Sequence, residues 1–412
     1  MRRVLVAAGV VLVGAALLWQ PLAVPLLVKF PTDLDQTTRY EGTFTLYVDQ
    51  ATGEPLASPG RLPLEIERRI RTVPEQSGAH TVVVQELVLF RVAGTDQHEV
   101  HQYVMDRRSM QNQDDPRSYS YAPANVVDRA GTYRVNLALG TDGDRSYPIW
   151  ENEPGAAFSM VGDPDRRRED RHGLSLIGLA EVFGDVPVAD RYRQELRRQG
   201  FALTLTFDAL TARLVADGVD VEAGLAALPR SDRATVAEVR AQRLPLRFFR
   251  YNDGHALVEP RTGAIVDLLV SDEGISAAVD LTPLDQLRAA LDERDDDPHA
   301  AELATALDEL EGEAPRRVYH LHYGQTPESV AEIAALTGDE LRKLDWAERY
   351  VPRLLGGLGV VLLAGGALAI ARHGRVRDHL GPDQDVRRTW RRHGPSRGVP
   401  ASLSGDPRAN LS

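Results

Sequence analysis

"TFTLYV" (residues 43–48) places Phe44, Leu46 and Val48 on one side of an extended chain and Thr43, Thr45 and Tyr47 on the other. Successive side chains of a strand point to opposite faces, so this alternation reads as a half-buried β-strand. "FALTLTF" (201–207) repeats the device with Phe201, Leu203, Leu205 and Phe207. Further strands are expected at "LPLEIE" (62–67), "HTVVVQELVLFRV" (80–92), "VHQYVM" (100–105), "YRVNLAL" (133–139), "LPLRFFRY" (244–251), "HALVEP" (255–260) and "AIVDLLV" (264–270). Turn chemistry separates them at "ATGEP" (51–55), "NDG" (252–254) and "RTG" (261–263), and Asp253-Gly254 and Thr262-Gly263 read as hairpin turns. With short connectors and no helix pattern between these runs, antiparallel meanders are favoured over βαβ units.

Helical periodicity follows. In "TPLDQLRAALDERDDDPHAAELATALDELEG" (282–312), Leu284, Leu287 and Leu291 form one stripe, and Leu303, Leu307 and Leu310 a second beyond Pro298. "TPESVAEIAALTGDELRKLDWAERYV" (326–351) predicts a third helix, capped by Thr326 with Pro327 in its first turn. The expected fold class is α+β: a mostly antiparallel β domain with amphipathic helices in its C-terminal third, flanked by two transmembrane helices.

Those flanks are apolar. Val4 to Trp19 carries no charge, but 16 residues of helix cover only about 24 Å, so the span should continue past Pro21 with a kink. Arg2 and Arg3 before an apolar run also suit a secretory signal, yet "QPLAVPLLVKFP" (20–31) lacks small residues at a cleavage site, and the segment reads as a retained anchor. Leu354 to Ala371 is 18 residues without a charge, followed by Arg372, Arg375 and Arg377. Glycines at 356, 357, 359, 365 and 366 would admit a second helix, with Gly365 and Ala369 a small-xxx-small pair.

Charge divides the same way. The tail from Arg372 to Ser412 holds nine Arg against four Asp, and the head adds Arg2 and Arg3; the stretch between them keeps 37 basic and 56 acidic residues, a net charge of −19. Arginine stays on the cytoplasmic side of membranes, so both termini are expected in the cytoplasm and the central domain outside the cell membrane. So acidic a middle repels phosphate backbones, and no nucleic-acid partner is expected. The organisation is an anchor over 1–28, an extracytoplasmic β-rich domain over 29–353, a transmembrane helix over 354–371 and a basic disordered cytoplasmic tail over 372–412. "HQYVMDRRSM" (101–110) echoes "HALVEPRTGA" (255–264) at His, Val and Arg, which allows two related halves, about 29–190 and 191–325, before the juxtamembrane helix.

Catalytic signals are thin. Cysteine is absent, removing disulfides, thiolate metal sites and a cysteine nucleophile. His98 and His101 fall on opposite strand faces; His320 and His322 share one but lack a third ligand, so strand histidines are read as exposed and neither metal nor cofactor is expected. "DERDDDPH" (292–299) lacks the glycine and terminal glutamate of a calcium loop. No G-x-S-x-G or phosphate-binding glycine loop occurs, and no carboxylate pair stands out among 56 acidic residues. Aromatic concentrations at "SYSYAPA" (118–124) and "SYPIWENEP" (146–154) read as buried anchors at loop corners, or as the lining of a sugar or lipid site. No catalytic residue is assigned.

"KFPTDLDQTTRYEGTFTLYVD" (29–49), "YVMDRRSM" (103–110), "SYPIWENEP" and the final membrane helix resemble the PorA-family porin-like envelope proteins of high-GC Gram-positive bacteria. That resemblance implies an extracytoplasmic domain between two anchors and no catalytic residues. A barrel pore crosses the bilayer with strands carrying a lipid-facing apolar band, whereas here the apolar spans are helical and the strands half polar. The layout, though no motif, is similar to scavenger-receptor-type proteins whose ectodomain conducts lipid. The expectation is a doubly membrane-anchored, non-enzymatic protein that binds or transfers a lipid or other envelope component, or acts as a scaffold. A channel formed by oligomerisation is the alternative and an envelope hydrolase the third reading; oligomeric state stays open.

Overall fold

Strand β1 (Asp35–Val48) carries the opening alternation, and Phe44, Leu46 and Val48 all pack against one hydrophobic cluster. The computed structural model describes residues 2–24 and 28–378; the expected tail beyond Asp378 lies outside the described residues. β1 pairs with β2 (Pro55–Thr72) through the turn at 49–54, and β2 with β3 (Thr81–Val92) and β4 (Thr95–Asp106) in an antiparallel meander. On its other side β1 receives β13 (Arg316–Gln325), the last strand in the chain. A β-carbon on Gly42 would collide with the His322 carbonyl and Tyr323 of β13, so the two strands close up only because position 42 is glycine.

The remaining strands are β5 (Tyr119–Ser120), β6 (Tyr147–Glu151), β7 (Ala156–Gly162), β8 (Glu169–Arg171), β9 (Leu174–Pro187), β10 (Thr204–Thr206), β11 (Arg243–Val258) and β12 (Ile265–Val279). The sheet runs β5-β4-β3-β2-β1-β13-β12-β11-β9-β7-β6, with β10 on β11 and β8 on β9, and every ladder is antiparallel. It curls until its two ends meet. Ser120 Oγ donates to Asn152 Oδ1 at 2.9 Å, and Asn152 Nδ2 donates to Tyr103 OH at 3.0 Å. Between these ends a hydrophobic cluster joins Val82, Val84, Tyr103 and Met105 to Ile149, Trp150, Ile177, Leu179 and Val258.

Four expected strands differ. "LPLRFFRY" and "HALVEP" are one strand, β11, and Asp253-Gly254 is a register shift within its ladder to β12 rather than a hairpin turn. Only Thr204–Thr206 of "FALTLTF" pairs; Thr206 Oγ1 then accepts from Ala209 N at 3.2 Å, and Phe207 opens a helix. "YRVNLAL" makes no ladder beyond an isolated Tyr133–Ile149 bridge. Thr262-Gly263 does form the β11–β12 turn, where Glu259 accepts from Thr262 N at 2.8 Å.

Helices begin earlier than the C-terminal third. Between β9 and β11 come α2 (Asp190–Arg198), α3 (Phe207–Ala216), α4 (Val221–Ala226) and α5 (Arg233–Ala241); α1 is the apolar Arg2–Leu18. The leucine stripes fall on α6 (Asp285–Asp292) and α7 (Pro298–Gly312), α7 being capped by Asp297. Leu196, Leu210, Leu287, Leu291, Leu303 and Leu307 join the sheet residues Leu64, Phe248, Ile275 and Leu321 in the largest cluster. α8 (Pro327–Asp345), capped by Thr326, lays Val330, Ile333 and Ala334 on Leu176, Leu257 and Val266, the opposite sheet face from Ile177 and Val258.

Helices spanning Arg3–Ala23 and Pro327–Arg372 are long and apolar enough to cross a membrane. The expected irregularity at Pro21 is a π-helical turn, Trp19–Ala23, and a second one, Trp346–Tyr350, precedes α9 (Val351–Asp378). Trp19 Nε1 donates to the Ala347 carbonyl at 2.8 Å, tying the two turns together. By its internal contacts the chain divides into Ala16–Leu354 and a unit of the two outer helical segments. Within that helical unit, close approach falls on Gly9 and Gly359: a β-carbon on Gly9 would lie 2.8 Å from the Gly359 carbonyl, and one on Gly359 2.8 Å from Val13 Cγ2. Gly365, expected with Ala369 to form a small-xxx-small face for a second helix, would place a β-carbon with nothing within 4 Å.

Candidate functional site

The curl of the sheet turns charged residues of many strands into one interior. Alternation on β2, β3 and β4 sends Arg68, Glu86 and Tyr103 inward, and β6, β9, β11 and β12 contribute Glu151, Glu181, Arg250 and Glu273. Glu86 is fully buried. Its Oε1 accepts from Arg68 Nε at 2.5 Å, its Oε2 accepts from Tyr103 OH at 2.5 Å, and Arg134 Nε lies 3.8 Å away. Arg134, from the irregular segment after β5, also donates to Glu151 Oε1 at 2.5 Å. Arg250 pairs with Glu273 at 2.8 Å, and Tyr323 OH donates to the other oxygen of Glu273 at 2.7 Å. Arg129, 1% exposed, donates to the Gln102 and Tyr119 carbonyls at 2.8 and 2.9 Å and stacks over the Tyr103 ring.

Arg68, Glu86, Arg134, Glu151, Arg250, Glu273 and Tyr323 line a central cavity of about 140 Å³. Across Tyr40, Arg68 and Ile265 it adjoins a second of about 280 Å³, whose wall is more apolar: Phe30, Leu34, Ile70, Ile333 and Leu336. Across Phe90, Glu99, Glu153 and Glu273 it adjoins a third of about 320 Å³, lined by Phe44, Leu64, Phe201, Tyr319 and Leu321. The interior is therefore a row of three chambers: the one beside Phe30 and Ile333 is the most apolar, while the middle and the third carry charged and apolar groups together. The second chamber touches Val28–Pro31, which follow the first apolar segment in sequence, and residues of α8, which lead into the last.

Burial sets the carboxylates apart. For Glu86 burial alone would favour the protonated form, but Arg68 and Arg134 outweigh it and hold the group well below the usual carboxylate range. Glu151 goes the other way: burial, with the charge of Glu153 added, overcomes Arg134 and pushes it up to about 7. Glu181 is raised well above its ordinary value by burial and by the neighbouring Glu151. Burial also raises Glu99, 3.4 Å from His101 Nε2.

The histidines separate. His98 is exposed, but His101, expected at the surface, is 2% exposed and stands edge-on to Tyr121 at 4.8 Å. His320 lies 2.8 Å from Asp272, and His322 is exposed. Among the described residues no three His, Asp or Glu side chains converge as a metal site would require. His255 is held between Asp163 at 2.8 Å and Asp253 at 3.0 Å; Ser271 Oγ donates to Asp253 rather than to the imidazole, so the order of a serine-hydrolase triad is not built here.

None of the interior charges was singled out by sequence. "SYPIWENEP" came nearest: Tyr147 and Trp150 are buried anchors, while Glu151, Asn152 and Glu153 of the same stretch line the central cavity. A family model described as Porin PorA matches residues 3–368. No curated protein matches the chain.

Proposed function

This chain belongs to the Porin PorA family, and we propose on that premise that it is a non-enzymatic, doubly anchored envelope protein whose β-rich unit takes an amphiphilic envelope component into its interior. The row of three chambers carries this reading: an apolar wall at Phe30, Leu34 and Ile333, then a charged middle, matches a molecule with a chain and a polar group. The family's name speaks of a pore. Buried ion pairs and packed clusters in this interior support a binding chamber over a water-filled lumen.

Arginine at both extremes and the acidic middle support cytoplasmic termini with the β-rich unit outside the cell membrane. Protease added to intact cells lacking their outer wall layers should then digest residues 29–353 and spare a C-terminal tag; protection of the whole chain until lysis would reverse the orientation.

The test of function is mass spectrometry of organic extracts from the purified full chain and from Ile265→Trp, which fills the wall shared by two chambers. The parent should carry a bound amphiphile at a fixed ratio to protein, and the variant, with unchanged circular dichroism, should lose it. Equal, variable amounts in both would mark the lipid as annular and remove the proposal.

A further inference from the structure

The central chamber holds a charge imbalance that its own side chains leave open. Glu86, Glu99, Glu151, Glu153, Glu181 and Glu273 line it, against the guanidinium groups of Arg68, Arg134 and Arg250 and the imidazole of His101. Each guanidinium has one close carboxylate: Arg68 pairs with Glu86 at 2.5 Å, Arg134 with Glu151 at 2.5 Å and Arg250 with Glu273 at 2.8 Å. Glu181 is 5% exposed, and its Oε2 meets only Asn252 Nδ2, at 3.5 Å. Its Oε1 is buried without a partner among the described residues, and so is Glu153 Oε2, which lies 4.0 Å from Arg250. Buried acceptors in native proteins are satisfied, so an unpaired one that lines a cavity points to a donor supplied from outside.

Charge decides which donor. A hydroxyl would leave Glu181 in its protonated form, and a phosphate would set a further anion among carboxyl groups. A primary ammonium supplies three donors and a positive charge that stabilises the ionised form of Glu181. We propose that the central chamber is a binding site for the ammonium group of an amine-bearing amphiphile, received by Glu181 Oε1. This deepens, and rests on, the reading of the interior as an amphiphile chamber. The chain of such a ligand extends past Tyr40 and Ile265 into the apolar chamber next door.

Around Glu181 stand Glu151 of β6, Arg250 and Asn252 of β11, Glu273 of β12, and Arg134 from the segment before β6. Without ligand, burial and Glu151 favour the protonated form of Glu181. An arriving ammonium therefore displaces that proton to solvent.

The experiment is calorimetric titration of the full chain in lipid nanodiscs with n-octylammonium, n-octanol and n-octyl phosphate, with empty nanodiscs as blank. The amine should bind at least roughly tenfold more tightly than the alcohol, with the phosphate weakest. Where Glu181 is protonated in the free protein, amine binding should release its proton, read from the dependence of the heat on buffer ionisation. Glu181→Gln should bring amine affinity towards that of the alcohol and abolish the proton release. Equal binding of all three compounds, or preference for the phosphate, overturns the ammonium site while leaving the amphiphile chamber standing. Binding of none removes the chamber itself.

Discussion

Glu181 sits where a protein seeking only stability would place a neutral side chain. It is buried, lacks an ion-pair partner among the described residues and is raised well above its ordinary value, chiefly by burial. For an acid whose folded pKa is raised, the native state keeps a proton that the unfolded chain releases. Its contribution is present at low pH and lost as pH climbs from the ordinary value near 4.5 through the folded one. Glu151, pushed up to about 7, acts in the same direction over the same window, while Glu86, held low by Arg68 and Arg134, loses stability only on acidification. Glu181→Gln should therefore flatten the decline in unfolding free energy as pH rises above about 4.5, the variant gaining on the parent at the upper end. Urea melts at several pH values measure this; an unchanged slope would mean that Glu181 is ionised and solvated in the native state. Sequence could not single these residues out, because Arg68, Glu86 and Glu99 occupy alternate strand positions that ordinarily face water. Only the curl of the sheet and its cover of helices remove that water.

At the level of elements, local chemistry was readable where it is self-contained. Thr326 and Pro327 open α8, Pro298 restarts the helix after α6, and Thr262-Gly263 turns β11 into β12, each through neighbours in sequence. Where distant partners decide, the reading failed. Asp253-Gly254 has the composition of a turn, yet β12 continues alongside it and Ser271 of that strand donates to Asp253 Oδ2 at 2.8 Å. "YRVNLAL" has strand periodicity but spends its polar groups elsewhere: Arg134 reaches Glu151, and Asn136 Nδ2 donates to the Thr262 carbonyl at 2.8 Å. The helical unit was legible as two apolar segments, and Gly359 is one of the five glycines expected to admit a second helix, but the Gly365–Ala369 pair is not where the approach falls. Gly359→Leu would drive a side chain into Val13 and Gly9, and should lower the thermal midpoint of the detergent-solubilised protein by several degrees. Gly365→Leu points into open space and should leave it unchanged; equal effects would contradict the Gly9–Gly359 contact.

Over the whole molecule, composition and charge established the order of parts: apolar head, acidic β-rich body, apolar helix, basic tail. Alternating strands also announced an antiparallel sheet, and family resemblance extended across the chain. What they could not convey is that the sheet bends back on itself, because closure depends on Ser120, Arg129 and Asn152 meeting across segments distant in sequence. That closure creates the chambers. An interior with unpaired carboxylates costs stability, and such a cost is retained where a ligand repays it. The most direct test is an experimental structure of the full chain extracted from its own membrane without delipidation. Elongated density should run from Phe30 and Ile333 past Tyr40, ending beside Glu181; chambers filled with ordered water, or closed by side chains, would contradict the account.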